Sequence, residues 1–350
     1  MATIILGDIV EVIKETVHNP QESGFQYFVG LEHYDSGEPL ITRYTTPDNL
    51  TSSVKHFAKG DILVARRNVY LKRASLVDFE GVTSGDSIVL RAKDKKYQQI
   101  LPFILNSDDF WDYAEQNSDG TMSKRLSPAD LLDYEFEEPE NIELLADKLW
   151  AAYRVKESYK KLLAATDDML KAKFQEMFGE EKYRYATIQD ISYQLLAGGD
   201  APKDIIDKPN GDYQYPVYAN GEGERGIIGW AKTYKISKDA ITIAARGLVG
   251  YCAIRKACFT PVVRLITIVP KEYINLTYLL FALNNKKFHV TGGAQKQLTI
   301  PNIQKELIPI PPILLQQKFA AIATQAEATK ESLRKSIENI DQVIKSLINQ

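Results

Sequence analysis

The sequence predicts an α+β protein in which two copies of one α/β head are separated by a long antiparallel two-helix coiled coil. Three observations predict this. Motifs of the first half recur in the second at an offset of about 172 to 182 residues. Each copy runs on into a long segment of heptad spacing. Between them lie short β-rich runs broken by Gly, Asp and Pro.

The two halves open alike, with LGDIVEVI at 6–13 and IQDISYQL at 188–195. Each then carries a Lys-led strand, KGDILVARR at 59–67 and KDAITIAARG at 238–247. PFILNSDDF at 102–110 parallels LFALNNKKF at 280–288, and GTMSKRLSPADLLDYEFEEP at 120–139 parallels GGAQKQLTIPNIQKELIPIPP at 292–312. Runs such as ITIAAR, VVRLITIV and SIVLRA read as strands, and TYLLFALNN as a short helix.

After Pro139 the positions Ile142, Leu145, Leu149, Ala152, Tyr159, Leu163, Thr166, Leu170 and Met177 keep a 3-4 spacing. After Pro312 the series Phe319, Ile322, Ala326, Thr329, Leu333, Ile340, Val343 and Leu347 does the same. An a/d pattern flanked by Lys and Glu marks a coiled-coil seam. With two matching helices in one chain, pairing them with each other is the better reading than packing each on its own head. The expected division is a first head over 1–138, a spacer helix over 139–181, a second head over 182–312 and a second spacer helix over 313–350. Each helix of about 35 residues would extend roughly 50 Å.

Composition fits a folded protein: 350 residues, 44% apolar and 25% charged, with 20 Gly and 15 Pro. No stretch approaches the roughly 18 apolar residues of a membrane span, and the N-terminal apolar run is too short and too acidic for a signal peptide, so a cytoplasmic protein is expected. Cys252 and Cys258, six apart in GYCAIRKACF, are expected on one face of a strand as reduced, partly buried thiols.

Catalytic motifs are missing. There is no Gly-Lys dipeptide, hence no P-loop, and no HExxH, GxSxG or CxxC. NGEGERGIIG, with Gly221, Gly223 and Gly226, reads as a turn. His18, His33, His56 and His289 are scattered without metal-ligand spacing. The acid pairs Asp108/Asp109 and Asp167/Asp168 could suggest metal-dependent nuclease work, but Asp167/Asp168 falls on the predicted helix as solvated charge, and Glu180-Glu181-Lys182 lacks an upstream Pro-Asp at suitable distance.

A two-headed chain without catalytic groups reads as a binding scaffold. Arg66, Arg67, Lys72 and Arg73 in ARRNVYLKRA offer forks for guanine edges or phosphates, with Tyr70 between them to stack. For each of them a strand edge turned to solvent is the ordinary alternative. Lys124 and Arg125 join the first set; Asn220, Arg225, Arg246, Gln295, Lys296 and Gln297 form the second, where Gln can bond adenine bidentately.

These residues lie in motifs that resemble a known family. FVGLEHYDSGEPL, RRNVYLKRASLVDFEGVTSGDSIVLR and GTMSKRLSPADL, with YPVYANGEG, AARGLVGYCAI and GGAQKQLTIPNIQKELIPIPPILLQQKFAAI, resemble type I restriction-modification specificity subunits over essentially the whole chain. The first copy departs from the closing motif, with EFEEP in place of IPIPP. The resemblance implies two target recognition domains, each reading one half of a split, asymmetric site on double-stranded DNA. It implies spacer helices that act as a ruler and dock two methyltransferase subunits through Leu145, Leu149, Tyr159, Leu163, Leu170, Phe319, Ile322, Leu333, Ile340 and Leu347. S-adenosylmethionine, ATP and Mg, and any restriction subunits, belong to the partners, and this chain is expected to bind no cofactor or metal of its own. The tip Gly292–Gln297 would lie near DNA and Pro311 and Pro312 would end the head. A roughly 50 Å spacer limits the half-sites to a separation of about one duplex turn.

Charge qualifies this picture. The four segments carry balances of −9, −2, +7 and +1, so the first head is acidic. Affinity for DNA grows with neutralised phosphates, and an acidic head predicts weak binding by the chain alone. The competing reading is an assembly adaptor whose heads bind proteins.

Overall fold

The computed structural model describes residues 2–120, 123–179, 183–222, 226–286, 288 and 297–349. The chain divides into two compact units, Met1–Lys160 with Arg334–Gln350, and Lys161–Leu333. The division cuts through both long helices, Ile142–Phe178 and Ile313–Ile348, so each unit holds one head and a stretch of each helix.

The first unit is built on a four-stranded antiparallel sheet in the order Val10–Ile13, Ser87–Ala92, Ile62–Ala65, Ala74–Leu76. The run Ile62-Leu63-Val64-Ala65 is buried on both faces. Ile62 and Val64, with Ile88 and Leu90, enter the main core, while Leu63 and Ala65, with Val89, face a second apolar cluster. That alternation is the period-two geometry of a strand. The two inner strands are tied at one end by Asp61, whose carboxylate accepts two hydrogen bonds of 2.7 Å from Arg91 Nε and Nη2. Helix Lys95–Ile104 begins at Asp94, whose side chain accepts from Lys96 N, and helix Asp108–Gln116 begins at Ser107, which accepts from Phe110 N. A second sheet holds Thr16–Val17, Val54–Phe57, Gly81–Thr83 and Phe28–Val29.

The second unit repeats this plan. Its main sheet runs Ser192–Ala197, Ile266–Pro270, Ala240–Ile243, Cys252–Arg255, all antiparallel and in the corresponding order. In both units a short helix follows the first strand of a separate two-stranded antiparallel sheet that joins the start of the head to its end: Leu6–Ile9 after Thr3–Ile5, paired with Glu135–Glu137, then Ile188–Ile191 after Tyr185–Thr187, paired with Leu307–Pro309. Helix Leu276–Asn284 stands where Lys95–Ile104 does, and Ile300–Ile303 where Pro128–Leu132 does. The peripheral sheets differ: the second head has Ile227–Ala231, Tyr215–Tyr218 and Thr260–Pro261. The duplicated α+β heads read from the sequence are present.

The helices are antiparallel. In the second unit Phe174 and Phe178 pack on Phe319, whereas the earlier Asp167 meets the later Lys330. In the first unit Lys156 meets Asp341, and Ile344, Leu347 and Ile348 pack against the core containing Leu149 and Tyr153. The buried face differs in phase from the spacing read in the sequence. It comprises Ile142, Ala146, Leu149, Tyr153 and Lys156, then Leu170, Phe174 and Phe178, on the first helix, and Gln316, Phe319, Ala323, Ala326, Lys330 and Leu333 on the second. Ala152, Thr166 and Met177 are half-buried, Thr329 is exposed and Val343 is half in solvent. A helix that packs on a head as well as on another helix buries a wide stripe of 3.6 period rather than a strict 3.5 seam.

Two lysines lie in that face. Lys156 Nζ is 2.7 Å from Asp341 Oδ1 and 2.9 Å from Glu38 Oε1; Lys330 Nζ is 2.7 Å from both Asp167 Oδ1 and Glu327 Oε1. The lysines, and the two helix aspartates they meet, are related by the offset of the repeat. Asp167 is therefore not simply a solvated charge: it partners a buried ammonium. Gln316 is fully buried, and its side chain closes the start of the second helix, accepting from Asn275 N at 2.8 Å and donating to Tyr273 O at 3.1 Å and Pro311 O at 2.8 Å.

The cysteine expectation requires correction. Cys252 sits in a strand, buried, with its thiol pushed up to about 12 by burial, but that strand ends at Arg255. Cys258 lies beyond it in the left-handed region at φ 67°, so the two share no strand face. Both are free thiols.

His56 bridges two carboxylates, with Nδ1 2.6 Å from Glu15 Oε2 and Nε2 2.9 Å from Glu80 Oε1. Burial would lower its pKa, but the two glutamates together outweigh burial and raise it. A raised folded pKa gives stability that is fully present below the unfolded value of about 6.5 and is lost as pH rises through the folded value. Thermal melting of the chain should therefore fall from pH 6.5 upward, and His56→Gln should flatten that dependence. An equal slope in the variant would assign the effect elsewhere.

Candidate nucleic-acid interface

In the first head the candidates converge where strand Ile62–Ala65 ends. Arg66 continues the sheet, its N–H donating to Asp86 O at 2.9 Å and its carbonyl accepting from Leu126 N at 2.9 Å. Arg67 forms an isolated antiparallel bridge with Arg125. The Asp86 carboxylate ties their guanidinium groups together: Arg67 Nη1 is 3.4 Å from Oδ2 and Arg125 Nη2 is 3.3 Å from Oδ1. Arg67 Nε also donates to Ser123 Oγ at 3.2 Å, and the Ser123 hydroxyl donates to Asn68 Oδ1 at 3.0 Å.

The surrounding side chains hold this arrangement. Arg73 donates to Leu31 O at 2.9 Å and to Arg67 O at 3.0 Å, buttressing the loop from behind. Lys124 reaches Glu115 O at 2.8 Å. From the second sheet, Lys55 donates to Gly85 O at 3.3 Å and Ser87 O at 2.6 Å on either side of Asp86. Burial, then the Arg66 charge, pulls the Lys55 pKa down, with Asp86 opposing. The loop between is shaped by Asn68 and Lys72, both left-handed at φ 55° and 47°, and it exposes Tyr70 (58%). Lys72 is drawn elsewhere: its ammonium sits 2.8 Å from Asp108 Oδ1, with Lys345 3.2 Å from Oδ2.

The acidic first head thus segregates its charge. Lys55, Arg66, Arg67, Arg73, Lys124 and Arg125 cluster around one loop, and Asp86 is the acid bonded to the two outer arginines. Their side chains are 45% and 47% exposed, Asp86 29%. Ion pairs so exposed contribute about 0–1 kcal/mol, so a phosphate or a guanine edge can displace the carboxylate at little cost.

In the second head Arg246 occupies the position of Arg67 after strand Ala240–Ile243, and donates through Nε (3.3 Å) and Nη2 (3.1 Å) to Gln297 Oε1. Ala245 O accepts from Leu298 N at 3.0 Å, as Arg66 O accepts from Leu126 N. The loop beyond Arg246 turns tightly, with Gly250 N donating to Ala244 O at 2.9 Å and Gly247 and Gly250 at φ 68° and 89°, conformations that favour glycine. Asn220 pins this loop to its neighbour, its Oδ1 accepting from Ala245 N at 2.7 Å and its Nδ2 donating to Val263 O at 2.8 Å. Arg255 stacks over Tyr218 at 4.1 Å. Arg225, Gln295, Lys296 and the rest of the tip from Gly292 lie outside the described residues, as do His289 and Glu180–Lys182.

Of the helix candidates, Leu149, Leu170, Phe319 and Leu333 are buried within the chain; Leu145, Ile322 and Leu347 are partly buried against its cores; Tyr159, Leu163 and Ile340 are half-buried. Leu144, Val155, Leu162 and Met169 stand out in solvent instead. Asp86, Lys55 and Ser123 escape sequence reasoning, because what gathers them is strand register rather than any local motif. Among the described residues no group of three His, Cys, Asp or Glu could hold a metal, and no helix is long and apolar enough to cross a membrane.

Two units of one topology, each with an arginine just beyond the end of an inner strand of its main sheet, define a protein with a duplicated α+β head. Residues 180–342 match the family described as type I restriction modification DNA specificity domain. Two proteins of Mycoplasma pneumoniae (strain ATCC 29342 / M129 / Subtype 1) named as type I specificity subunits are similar. One is 33% identical over 141 residues, covering 40% of this chain and 39% of that protein; the other is 32% identical over 143 residues, covering 41% and 43%. The matched segment thus spans less than half the length of either relative. The type I S subunit structure from M. genitalium superposes with a TM-score of 0.62 at 14% identity, over 99% of this chain and 94% of that one. A chain from a structural study of type I R-M complex assembly gives 0.58 at 17% identity, over 99% and 96%. The two-headed fold is that of type I specificity subunits. The resemblance read in the sequence is borne out by this match to the type I restriction modification DNA specificity domain over residues 180–342 and by the shared fold.

Proposed function

We propose that this chain is the DNA sequence-specificity subunit of a type I restriction-modification complex, each head reading one half of a bipartite, asymmetric site on double-stranded DNA. The observation that carries this reading is the arginine set at the same topological position in both heads, Arg67 with Arg125 and Arg246 with Gln297. The helices set the spacing and dock methyltransferase subunits, two per chain, with restriction subunits joining through them. Docking partners would meet Leu144 and Val155 on the first unit and Leu162 and Met169 on the second, because Leu149, Leu170, Phe319 and Leu333 are occupied inside the chain. The chain itself performs no catalysis. S-adenosylmethionine, ATP and Mg sit on the partners, and the complex works on DNA in the cytoplasm.

The test is binding of duplex DNA by the chain with and without its methyltransferase, at several salt concentrations. The chain alone is expected to bind in the non-specific range, at about 10⁻⁶ M or weaker near physiological salt, and the complex at about 10⁻⁸ M or tighter with sequence selectivity. Tight, selective binding by the chain alone, or methyl transfer by it alone from labelled S-adenosylmethionine, would refute the division of labour. A complex without selectivity would refute the reading itself.

A further inference from the structure

The two heads present the same pair of positions with different chemistry. In the first, Arg67 stands beside Arg125; in the second, Arg246 stands beside Gln297. In the first head strand register carries Asp86 into place: Val64 pairs with Ile88 and Ala65 with Ser87, and Arg66 N donates to Asp86 O at 2.9 Å. In the second head the ladder ends at Ile243 with Ile266, and Arg264, two residues earlier, is left-handed at φ 64°. Two adjacent arginines repel unless an anion lies between them, and Asp86 supplies it, one oxygen to each. Arg246 faces a neutral amide whose oxygen accepts from it, so the pair carries no second positive charge to neutralise.

We infer that Arg67 with Arg125, and Arg246 with Gln297, are the base-reading pairs of the two heads, and that the Arg/Gln difference at 125 and 297 makes the half-sites unlike. Asp86 is a positioning residue that orients the first pair without reading a base. This inference rests on the specificity-subunit reading and extends it to named residues. Each Asp86 contact uses one guanidinium nitrogen, which leaves donors on both arginines for the O6 and N7 acceptors of guanine in the major groove. Arginine with glutamine suits a guanine next to an adenine instead.

The experiment selects duplexes from a randomised library with the complete chain bound to its methyltransferase, and sequences what is retained. R125Q is expected to change the preferred base at one or two positions of one half-site, with at least about tenfold loss of the original base, and to leave the other half-site intact. Q297R should do the converse. D86N should keep the motif but weaken selectivity at those positions and steepen the salt dependence, since it frees two cations, whereas D86E should restore most of both. D86N added to R125Q should cost less selectivity than D86N alone, because only Arg67 remains for the carboxylate to hold, whereas a purely structural aspartate would cost the same in both backgrounds. An unchanged motif in R125Q, or equal weakening of all sequences, overturns the inference. If R125Q loses its half-site altogether, Q297R decides, and an unaltered second half-site in that variant overturns it as well. A wild-type complex that selects no motif refutes the specificity reading instead, and the inference with it.

Discussion

Phe319→Ala is expected to destabilise the second unit by about 3–5 kcal/mol, the usual cost of deleting a fully buried phenyl group. Phe319 enters the second long helix one turn after Gln316, and its ring meets Phe174 at 5.3 Å, Phe178 at 5.6 Å and Phe281 at 4.9 Å, all edge-on. Those neighbours come from the first long helix and from helix Leu276–Asn284, so one side chain joins both helices to the head. Loss of the ring removes edge-to-face contacts as well as area, and Phe174 and Phe178 cannot refill the space without leaving Tyr278, on which they also pack. The check is hydrogen exchange followed by mass spectrometry. Peptides covering Ile266–Pro270 and Leu276–Asn284 should exchange about two to three orders of magnitude faster in the variant, and selectivity at the second half-site should fall with them. Less than a tenfold change would mean that the aromatic cluster contributes little to holding the head.

The course of the first sheet and its copy was legible because strand signals are local: four apolar residues in a row after Lys-Gly-Asp announce Ile62–Ala65, and the same rhythm announces Ala240–Ile243. The length of both helices was legible for the same reason. Their buried phase was not. Ala146, Tyr153 and Phe174 face inward because a head as well as a helix covers them, and heptad counting ignores heads. Lys156 and Lys330 escaped because a charged residue on a helix is ordinarily solvated, whereas here the methylene stems are buried and each ammonium finds an aspartate across the pair. Asp86 escaped for another reason. In TSGDS it is one turn residue among several, and it acquires meaning only when antiparallel register carries it between Arg67 and Arg125, which are 58 positions apart in the chain. Local chemistry announces elements; the site is made of residues that share no locality.

Glu38→Ala should show how much the buried lysine matters. Glu38 Oε1 accepts from Lys156 at 2.9 Å and Lys160 at 2.8 Å, and its side chain is 16% exposed, that of Lys156 11%. Burial alone would raise the Glu38 pKa, yet the two ammonium donors more than offset it and hold the carboxylate below its ordinary value. Removing one member of a buried pair costs about 3–5 kcal/mol when the other is stranded; Asp341 remains beside Lys156, so about 2 kcal/mol is expected in urea unfolding. The pH dependence follows from the sign of the shift. A depressed folded pKa contributes stability that is present above the unfolded value of about 4.3 and is lost as pH falls through the folded value. Wild-type stability should therefore decline more steeply than that of the variant as pH falls below about 4.3, and the two should converge in acid. Glu38→Ala combined with Lys156→Met should recover more than half of the loss at neutral pH, because the double variant strands no buried charge and keeps an apolar stem of similar volume in the helix face. Without that recovery the cost would belong to the loop carrying Glu38 rather than to desolvation of the lysine.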